Sequence, residues 1–465
     1  SMKSSWLYAV LLGGATLLFL SACSDSTSVG LGVGPDSLRG GEPITLDIPP
    51  TLDTTRTSPI TGTNFRQTPS RSTWRFLVGV VDDPIPGTGV IEAEGYVDFA
   101  GRSVLPPEIR DAPDADSLSA ELRLRTTYLH GRTEEPVEVK IYDLTAEAEM
   151  DSARAPASFD ADETESVAVD TATFVPRDSL ITIELRDSWI NEHLETLKDT
   201  TDDGGGFENN FPGFKIVAPN SQAVVGFSAS SATLRLTYEP DTTNADYAGL
   251  KTFTHIEQRN VTASPPNTHR LLLGGVGVNL TMDWAYGEEE FARDETTIDS
   301  LPASTGQVLP LNRAEIFVPV DTLAMDDFSE SSFVRPRPMG FRMVATRSAE
   351  DVPSCAVIFR SRELAVGDRG CEVPLAPSAA PGAALVSDNF AFPVFQESFR
   401  RVREGQSPLF TTYRVQVADR ENIPGNPLST TEPGLPSTVP VLIQRPSSSQ
   451  EEPGPPRATL TVTPL

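Results

Sequence analysis

Three cysteines, four histidines and 65 carboxylates are the residues of this chain that can do chemistry, and their spacing limits what they can do. Asp202-Asp203-Gly204-Gly205-Gly206, followed by Glu208-Asn209-Asn210, offers oxygen ligands on a glycine-rich stretch, as a calcium site wants. The alternating acid spacing of a calcium loop is missing, so a solvated acidic loop is the expectation there. Glu288-Glu289-Glu290 beside Trp284 and Tyr286 would suit a carboxylate pair next to a sugar-stacking platform. A charged loop after the strand-like run Val276 to Trp284 explains the same residues. His130, His193, His255 and His269 are scattered, with no cysteine or histidine pair at metal-ligand spacing and no Gly-x-Ser-x-Gly elbow. The sequence therefore predicts no catalytic residue, no metal and no cofactor.

Cys23 is the exception, because of what precedes it. Lys3 and the apolar run Trp6 to Leu20 have the layout of a secretory signal and are too short to span a bilayer with margin. Leu20-Ser21-Ala22-Cys23 then resembles the lipobox of bacterial lipoproteins, in which the chain is cut before a cysteine that becomes lipidated. The resemblance implies a signal peptide over residues 1–22 and a membrane anchor on Cys23. Three acyl chains hold far more firmly than one, each buried methylene contributing about 0.8 kcal/mol. Ser24 stands where an aspartate would favour inner-membrane retention, which points to the outer membrane. Ser24-Asp25 also has a weak likeness to the short acidic signals of cell-surface lipoproteins.

In such an oxidising envelope compartment, Cys355 and Cys371 are expected to pair. They lie 16 positions apart with Pro353 and Gly370 nearby, a spacing that a hairpin or loop can close. By chain entropy the closure would contribute about 3 kcal/mol. The formal charge of −28 argues against nucleic acid and against direct binding to anionic lipid, since both need a basic stripe. The lysines are only Lys3, Lys140, Lys198, Lys215 and Lys251, every other cation being arginine. Adaptation to high salt and a codon bias towards arginine both account for that imbalance.

The elements that must carry these residues read as β-strands. Forty prolines and 33 glycines punctuate strands and break helices. Residues 23–73 read as a lipidated tether and extended N-terminal segment, with Ile44 to Ile48 alternating like a strand. Trp74 to Val81 and Val90 to Phe99 read as strands joined by a turn over Asp82 to Gly89. One helix is expected over Asp187 to Lys198, capped by Asp187 or Ser188, with Ile190, Leu194 and Leu197 on one face.

Four phrases recur in order. Ala120 to Leu124 matches Ala314 to Val318, Ile183 to Asp187 matches Val415 to Asp419, a strand ending at Pro219 matches Val439 to Ile443, and Ala232 to Thr237 matches Ala458 to Thr463. The repeat predicts an all-β chain of two tandem antiparallel, jelly-roll-like sandwiches, 74–245 and 246–465, each with a closing strand. The boundary is placed where Asp241 to Asn244 breaks the pattern.

Leu77-Val78-Gly79 with Asp83-Pro84 and Gly87, Asp116-Ser117-Leu118 to Leu124, Phe211-Pro212-Gly213-Phe214-Lys215-Ile216, Leu273 to Gly277 and Leu311-Asn312-Arg313-Ala314-Glu315 resemble a family of bacterial envelope lipoproteins known as domain of unknown function 4270. Pro212 and the acidic stretch Asp151 to Glu165 depart from that pattern. The resemblance implies fold and compartment and carries no chemistry. The expected function is a non-catalytic, outer-membrane-anchored lipoprotein that binds an envelope protein or polymer. The alternative is a carbohydrate-binding or carbohydrate-cleaving surface lipoprotein, which the low aromatic content of 7% disfavours.

Overall fold

The computed structural model describes residues 44–56, 75–144, 169–200, 206–261, 267–284, 311–328, 330–336, 341–346, 357–360, 363–366, 371–377, 384–386, 412–417, 437–444 and 455–462, together with 265 and scattered positions between 392 and 410. In chain order the strands are β1 (Ile44–Ile48), β2 (Thr51–Arg56), β3 (Arg75–Asp82), β4 (Val90–Phe99), β5 (Leu118–Arg132), β6 (Val137–Asp143), β7 (Asp170–Phe174), β8 (Leu180–Leu185), β9 (Phe214–Val217), β10 (Ala223–Ser228), β11 (Thr233–Tyr238) and β12 (Thr243–Arg259). They continue as β13 (His269–Leu272), β14 (Val278–Asp283), β15 (Leu311–Pro319), β16 (Phe333–Val334), β17 (Phe341–Thr346), β18 (Val357–Arg360), β19 (Glu363–Val366), β20 (Cys371–Pro377), β21 (Ala384–Val386), β22 (Thr412–Val417), β23 (Val441–Gln444) and β24 (Arg457–Val462). Helices α1 (Pro107–Arg110), α2 (Asp187–Lys198), α3 (Phe207–Asn210) and α4 (Thr322–Asp327) are short insertions. The protein is all-β, built on large antiparallel sheets.

Long strands close the first sheet on itself. The first residues of β12 pair with β11, Thr243 opposite Tyr238 and Ala248 opposite Thr233. The rest pair with β4, from Gly249 opposite Phe99 to Arg259 opposite Val90. Because β11, β5, β10, β3 and β4 are also paired in succession, the ladder returns to its starting strand and leaves no free edge there. β3 can approach β10 only because Gly79 carries no side chain. Its φ is +126°, and a Cβ there would lie 2.2 Å from the Ala223 carbonyl oxygen.

Alternation decides which side chains fill this ring. Leu118, Ala120, Leu122 and Leu124 point inward from β5, as do Ile181, Ile183 and Leu185 from β8. Each fully buried aliphatic contributes about 1.5–3 kcal/mol. Helix α2 covers this core with Trp189, Ile190 and Leu197 buried, and Leu194 packs partly buried against it. Its residues match the sequence expectation. Its N-cap is Arg186, however, and no side chain caps it; Asp187 is the first helical residue.

The second large sheet runs β1-β24-β15-β21-β20-β17-β22-β14-β2. Its outer strands come from the N-terminal segment: Ile44 pairs with Val462, and Thr51 with Asp283. Residues 44–56, read from the sequence as an extended segment ahead of both sandwiches, thus belong to the second sheet. Apolar packing is continuous between the layers. Leu77, Val81, Tyr128 and Val224 of the ring share one cluster with Leu280, Ile316, Val415 and Leu442.

The boundary expected near residue 245 falls inside β12. Glu239 to Thr242 form the turn of the β11–β12 hairpin, with Thr242 at φ 62° and the Asp241 carboxylate accepting from the Thr243 amide. A turn signal was present, but it joins two strands of one sheet.

The recurring phrases divide into two kinds. The opening and closing phrases pair with each other in both halves: Leu122 with Leu234 and Ala120 with Leu236, then Ile316 with Ala458 and Ala314 with Leu460. β8 and β12 flank the first pair, and β21 and β1 flank the second. The register differs by two residues between the halves, an even shift that keeps every side chain on its face. The two middle phrases have no such equivalence. β8 borders β5, whereas β22 lies between β17 and β14; β9 joins β4 and β6, whereas β23 pairs with β13.

Candidate functional site

Two polar constellations lie where the ring meets the second sheet. In the first, β3 ends in a turn opened by Asp83, whose Oδ1 accepts from the Ile85 amide at 2.9 Å. His130, near the end of β5, donates from Nε2 to Asp83 Oδ2 at 2.8 Å. β16 pairs with the end of β5, and this pairing sets Arg335 beside the same carboxylate. Its Nε and Nη2 donate to the two Asp83 oxygens, each at 2.8 Å, and its Nη1 donates to the Met325 carbonyl at 2.7 Å. On the far side of His130, Thr438 Oγ1 lies 2.9 Å from Nδ1 and 2.9 Å from the Tyr128 hydroxyl. The network is satisfied when Thr438 donates to Nδ1, Tyr128 donates to Thr438, and the Thr438 amide donates to Tyr128 at 3.2 Å.

Burial alone would raise the Asp83 pKa. The hydrogen bonds from His130 and Arg335, with the guanidinium charge, overcome that and hold it at about 2. Hydroxyl, imidazole and carboxylate here have the connectivity of a nucleophilic triad. Yet Thr438 and His130 have no exposed surface, and a guanidinium already occupies the carboxylate. No substrate carbonyl can reach the hydroxyl, so the set fastens four chain segments together.

The second constellation is open to solvent. Thr54 and Arg56 of β2, Gly87 of the β3–β4 turn, Gln258 of β12, Pro265, Asn267, His269, Arg270 and Leu271, and Val278 of β14 enclose a cleft of about 400 Å³. Gly87, at φ +93°, allows Pro265 to close against the turn; a Cβ there would come within 2.8 Å of the proline ring. Gln258 is held by the Gly87 and Thr88 carbonyls at 3.3 and 2.7 Å, and its Oε1 accepts from Arg56 at 3.0 Å. Arg270 donates from Nη2 to the Leu52 carbonyl at 3.0 Å. His269 lies between Thr268 Oγ1, 2.8 Å from Nδ1, and Asp321, whose Oδ2 is 3.0 Å from Nε2. The other Asp321 oxygen caps α4 by accepting from the Ala324 amide at 2.9 Å.

The residues singled out by sequence are mostly elsewhere. Cys23, Cys355, Asp202, Asp203, Tyr286 and Glu288 to Glu290 lie outside the described residues. Cys371 opens β20, opposite Ala345. Glu208 sits on α3 and accepts from the Gly101 amide at 2.9 Å. Trp284 is only 3% exposed: it packs on Phe395 and Tyr413 and donates to the Ile48 carbonyl, so it is a core residue and offers no stacking face. His193 stacks on Trp189, whose indole donates to Asp143 at 2.9 and 3.0 Å. His255 lies 3.1 Å from Glu257 at the surface. Among the described residues no group of three or more His, Cys, Asp or Glu could hold a metal ion, and no helix is long and apolar enough to cross a membrane. Asp83-Pro84 and Gly87 stood in the sequence as parts of a motif. Thr438, Arg335, Arg56 and Arg270 carried no local signal, because their neighbours are set by pairing across the chain.

No family model matches the chain, and no curated protein does. A solved structure of a protein described as secreted, from Parabacteroides distasonis, is similar over 91% of this chain and 99% of its own, at 8% identity and a TM-score of 0.19. A likeness at that level carries neither fold nor function. Of the short phrases singled out in the sequence, Asp83 and Gly87 belong to the constellations above.

Proposed function

We propose that the protein is a non-catalytic outer-membrane lipoprotein, attached through Cys23, whose β-sheet body binds a partner protein or polymer of the envelope. The cleft bounded by Arg56, Gln258 and Arg270 carries the binding part of this reading. It is concave, of a size typical for small-ligand or side-chain capture, and lined by both apolar and hydrogen-bonding groups. Leu20-Ser21-Ala22-Cys23 supports the anchor. The triad-like set at His130 supports the non-catalytic part, since its geometry serves cohesion.

Two experiments test the reading. Cys23→Ala is expected to abolish fatty-acid labelling and to release the protein into the soluble envelope fraction; a variant that still sediments with the outer membrane would refute the anchor. A photo-crosslinking residue in place of exposed Asn267 is expected to give a discrete adduct in cells. The same residue in place of Leu323, 71% exposed and outside the cleft lining, is expected to give none. Equal labelling from both positions would refute the cleft as the binding face.

A further inference from the structure

We infer that the seam cleft recognises an oxyanion carried by a sugar-sized ligand, with Arg56 and Arg270 as the recognising groups. This deepens the partner-binding reading above by naming the chemistry of what is bound.

The charge pattern is the first support. The chain has 65 acidic residues against 37 lysines and arginines, and several of its arginines are paired with carboxylates. Arg235 is held by Asp246 at 2.6 and 2.8 Å, and Arg259 by Glu92 and Glu257 at 2.7 and 2.8 Å. Arg56 and Arg270 differ. Their hydrogen bonds are to the Gln258 side-chain oxygen and the Leu52 carbonyl, both neutral acceptors, and neither has a carboxylate partner among the described residues. No aspartate or glutamate is among the described residues lining the cleft. Within a protein of net charge −28, this concavity presents two unneutralised guanidiniums.

Unused donor capacity is the second support. Arg270 spends only Nη2; its Nε is buried with no hydrogen-bond partner, and Nη1 has none among the described residues. Arg270 is half-buried, so its Nη1 is left to meet an acceptor in the cleft, and the planar group matches carboxylate or phosphate oxygens. The carbonyl at Leu52 fixes the orientation of the fork, which reduces the ordering cost on binding.

The walls set the rest of the ligand. Pro265, Leu271 and Val278 give an apolar surface, while Thr54 and Asn267 add hydroxyl and amide groups. A charged group on a body with both hydroxyls and C–H faces fits such walls, as in the hexuronic or phosphorylated sugars of acidic envelope polymers. Gln258 cannot supply the charge. It is pinned by two backbone carbonyls and holds Arg56 in place.

The test is isothermal titration of the full mature protein in detergent with sodium glucuronate, glucose 1-phosphate and glucose as probes. Saturable binding of glucuronate or glucose 1-phosphate, with none of glucose, is the expected result, and the stronger of the two names the oxyanion. Arg270→Gln and Arg56→Gln are each expected to weaken binding at least tenfold while leaving the urea midpoint unchanged. Arg259→Gln, outside the cleft lining, should leave binding as it is. Heat with neither anion, equal binding of glucose, or an undiminished titration with Arg270→Gln would each overturn the inference. If the anions fail while the Asn267 crosslink persists, the oxyanion assignment falls and the partner-binding reading stands; loss of the crosslink as well removes both.

Discussion

His130–Asp83 and His269–Asp321 are the same contact, imidazole nitrogen to carboxylate oxygen at 2.8 and 3.0 Å, in two settings. The first is sealed. Its carboxylate has a second, cationic partner in Arg335, and its imidazole is closed off by Thr438. The second stands at the edge of an open cleft, and its carboxylate spends its other oxygen on a helix cap. Identical geometry therefore does different work. Around Asp83 a buried charge is compensated and ties strands distant in sequence together, whereas around Asp321 the contact props a wall that a ligand would touch. Access and the second partner decide the role.

Breaking the sealed contact should have the largest effect. Arg335→Leu leaves a buried carboxylate with no guanidinium, which is expected to cost about 3–5 kcal/mol, read as a fall in the urea midpoint. Adding Asp83→Asn should recover part of that loss. A cost smaller than that of Asp321→Ala would erase the distinction between the two contacts.

Acid sharpens it next. The folded pKa of Asp83, about 2, lies below its ordinary value of 3.8, so its contribution is complete above pH 3.8 and lost as pH falls towards 2. The loss is on the order of 2 kcal/mol. Denaturation of the wild type at pH 5 and pH 2.5 measures it, and in Arg335→Leu this part of the pH dependence should flatten. An unchanged slope would mean that Arg335 does not hold the carboxylate down.

Asp321→Ala removes a cap and a histidine partner, and about 1–2 kcal/mol is expected by the same assay. It should also disturb cleft ligands through His269, which Arg335→Leu should not do at temperatures where that variant stays folded. The smallest effect belongs to Asp111→Asn, whose partner Arg110 is solvent-exposed. Hydrogen bonding to Arg110 lowers the Asp111 pKa, but solvent screens the pair and the midpoint should not move.

How far the sequence reaches can be seen at particular residues. Leu118, Ala120, Leu122 and Leu124 advertise a half-buried strand by their two-residue period, and they form one. The span of α2 is legible because Ile190, Leu194 and Leu197 recur at helical spacing. Its cap was misplaced because Asp187 looked like a capping residue while Arg186 holds that position through backbone geometry alone. The turn at Asp241 is local and was visible; that β12 passes through it to pair with β4 is a long-range fact and was not. The same holds for both constellations. Asp83 and Thr438 meet through His130, and no pattern within a short window brings a threonine ahead of β23 to an imidazole on β5. Ile183 to Asp187 and Val415 to Asp419 share a pattern because inward–outward alternation is common to strands, and pairing separates them.

The pairing of β1 with β24 orders events in time. Thr45 and Thr461 face each other across the ladder at a separation of 416 residues, so among the described strands β1 has no partner until β24 has been made. At roughly 5–20 residues per second, synthesis alone leaves β1 waiting roughly 20–80 s. β2 waits less, for β14. The pairs that close the ring formed by β3 to β12 all lie within residues 75–259, so it can close in the meantime, β16 adding to the end of β5 later. The second sheet is then sealed at both edges from opposite ends of the waiting period, β2 docking first and β1 last.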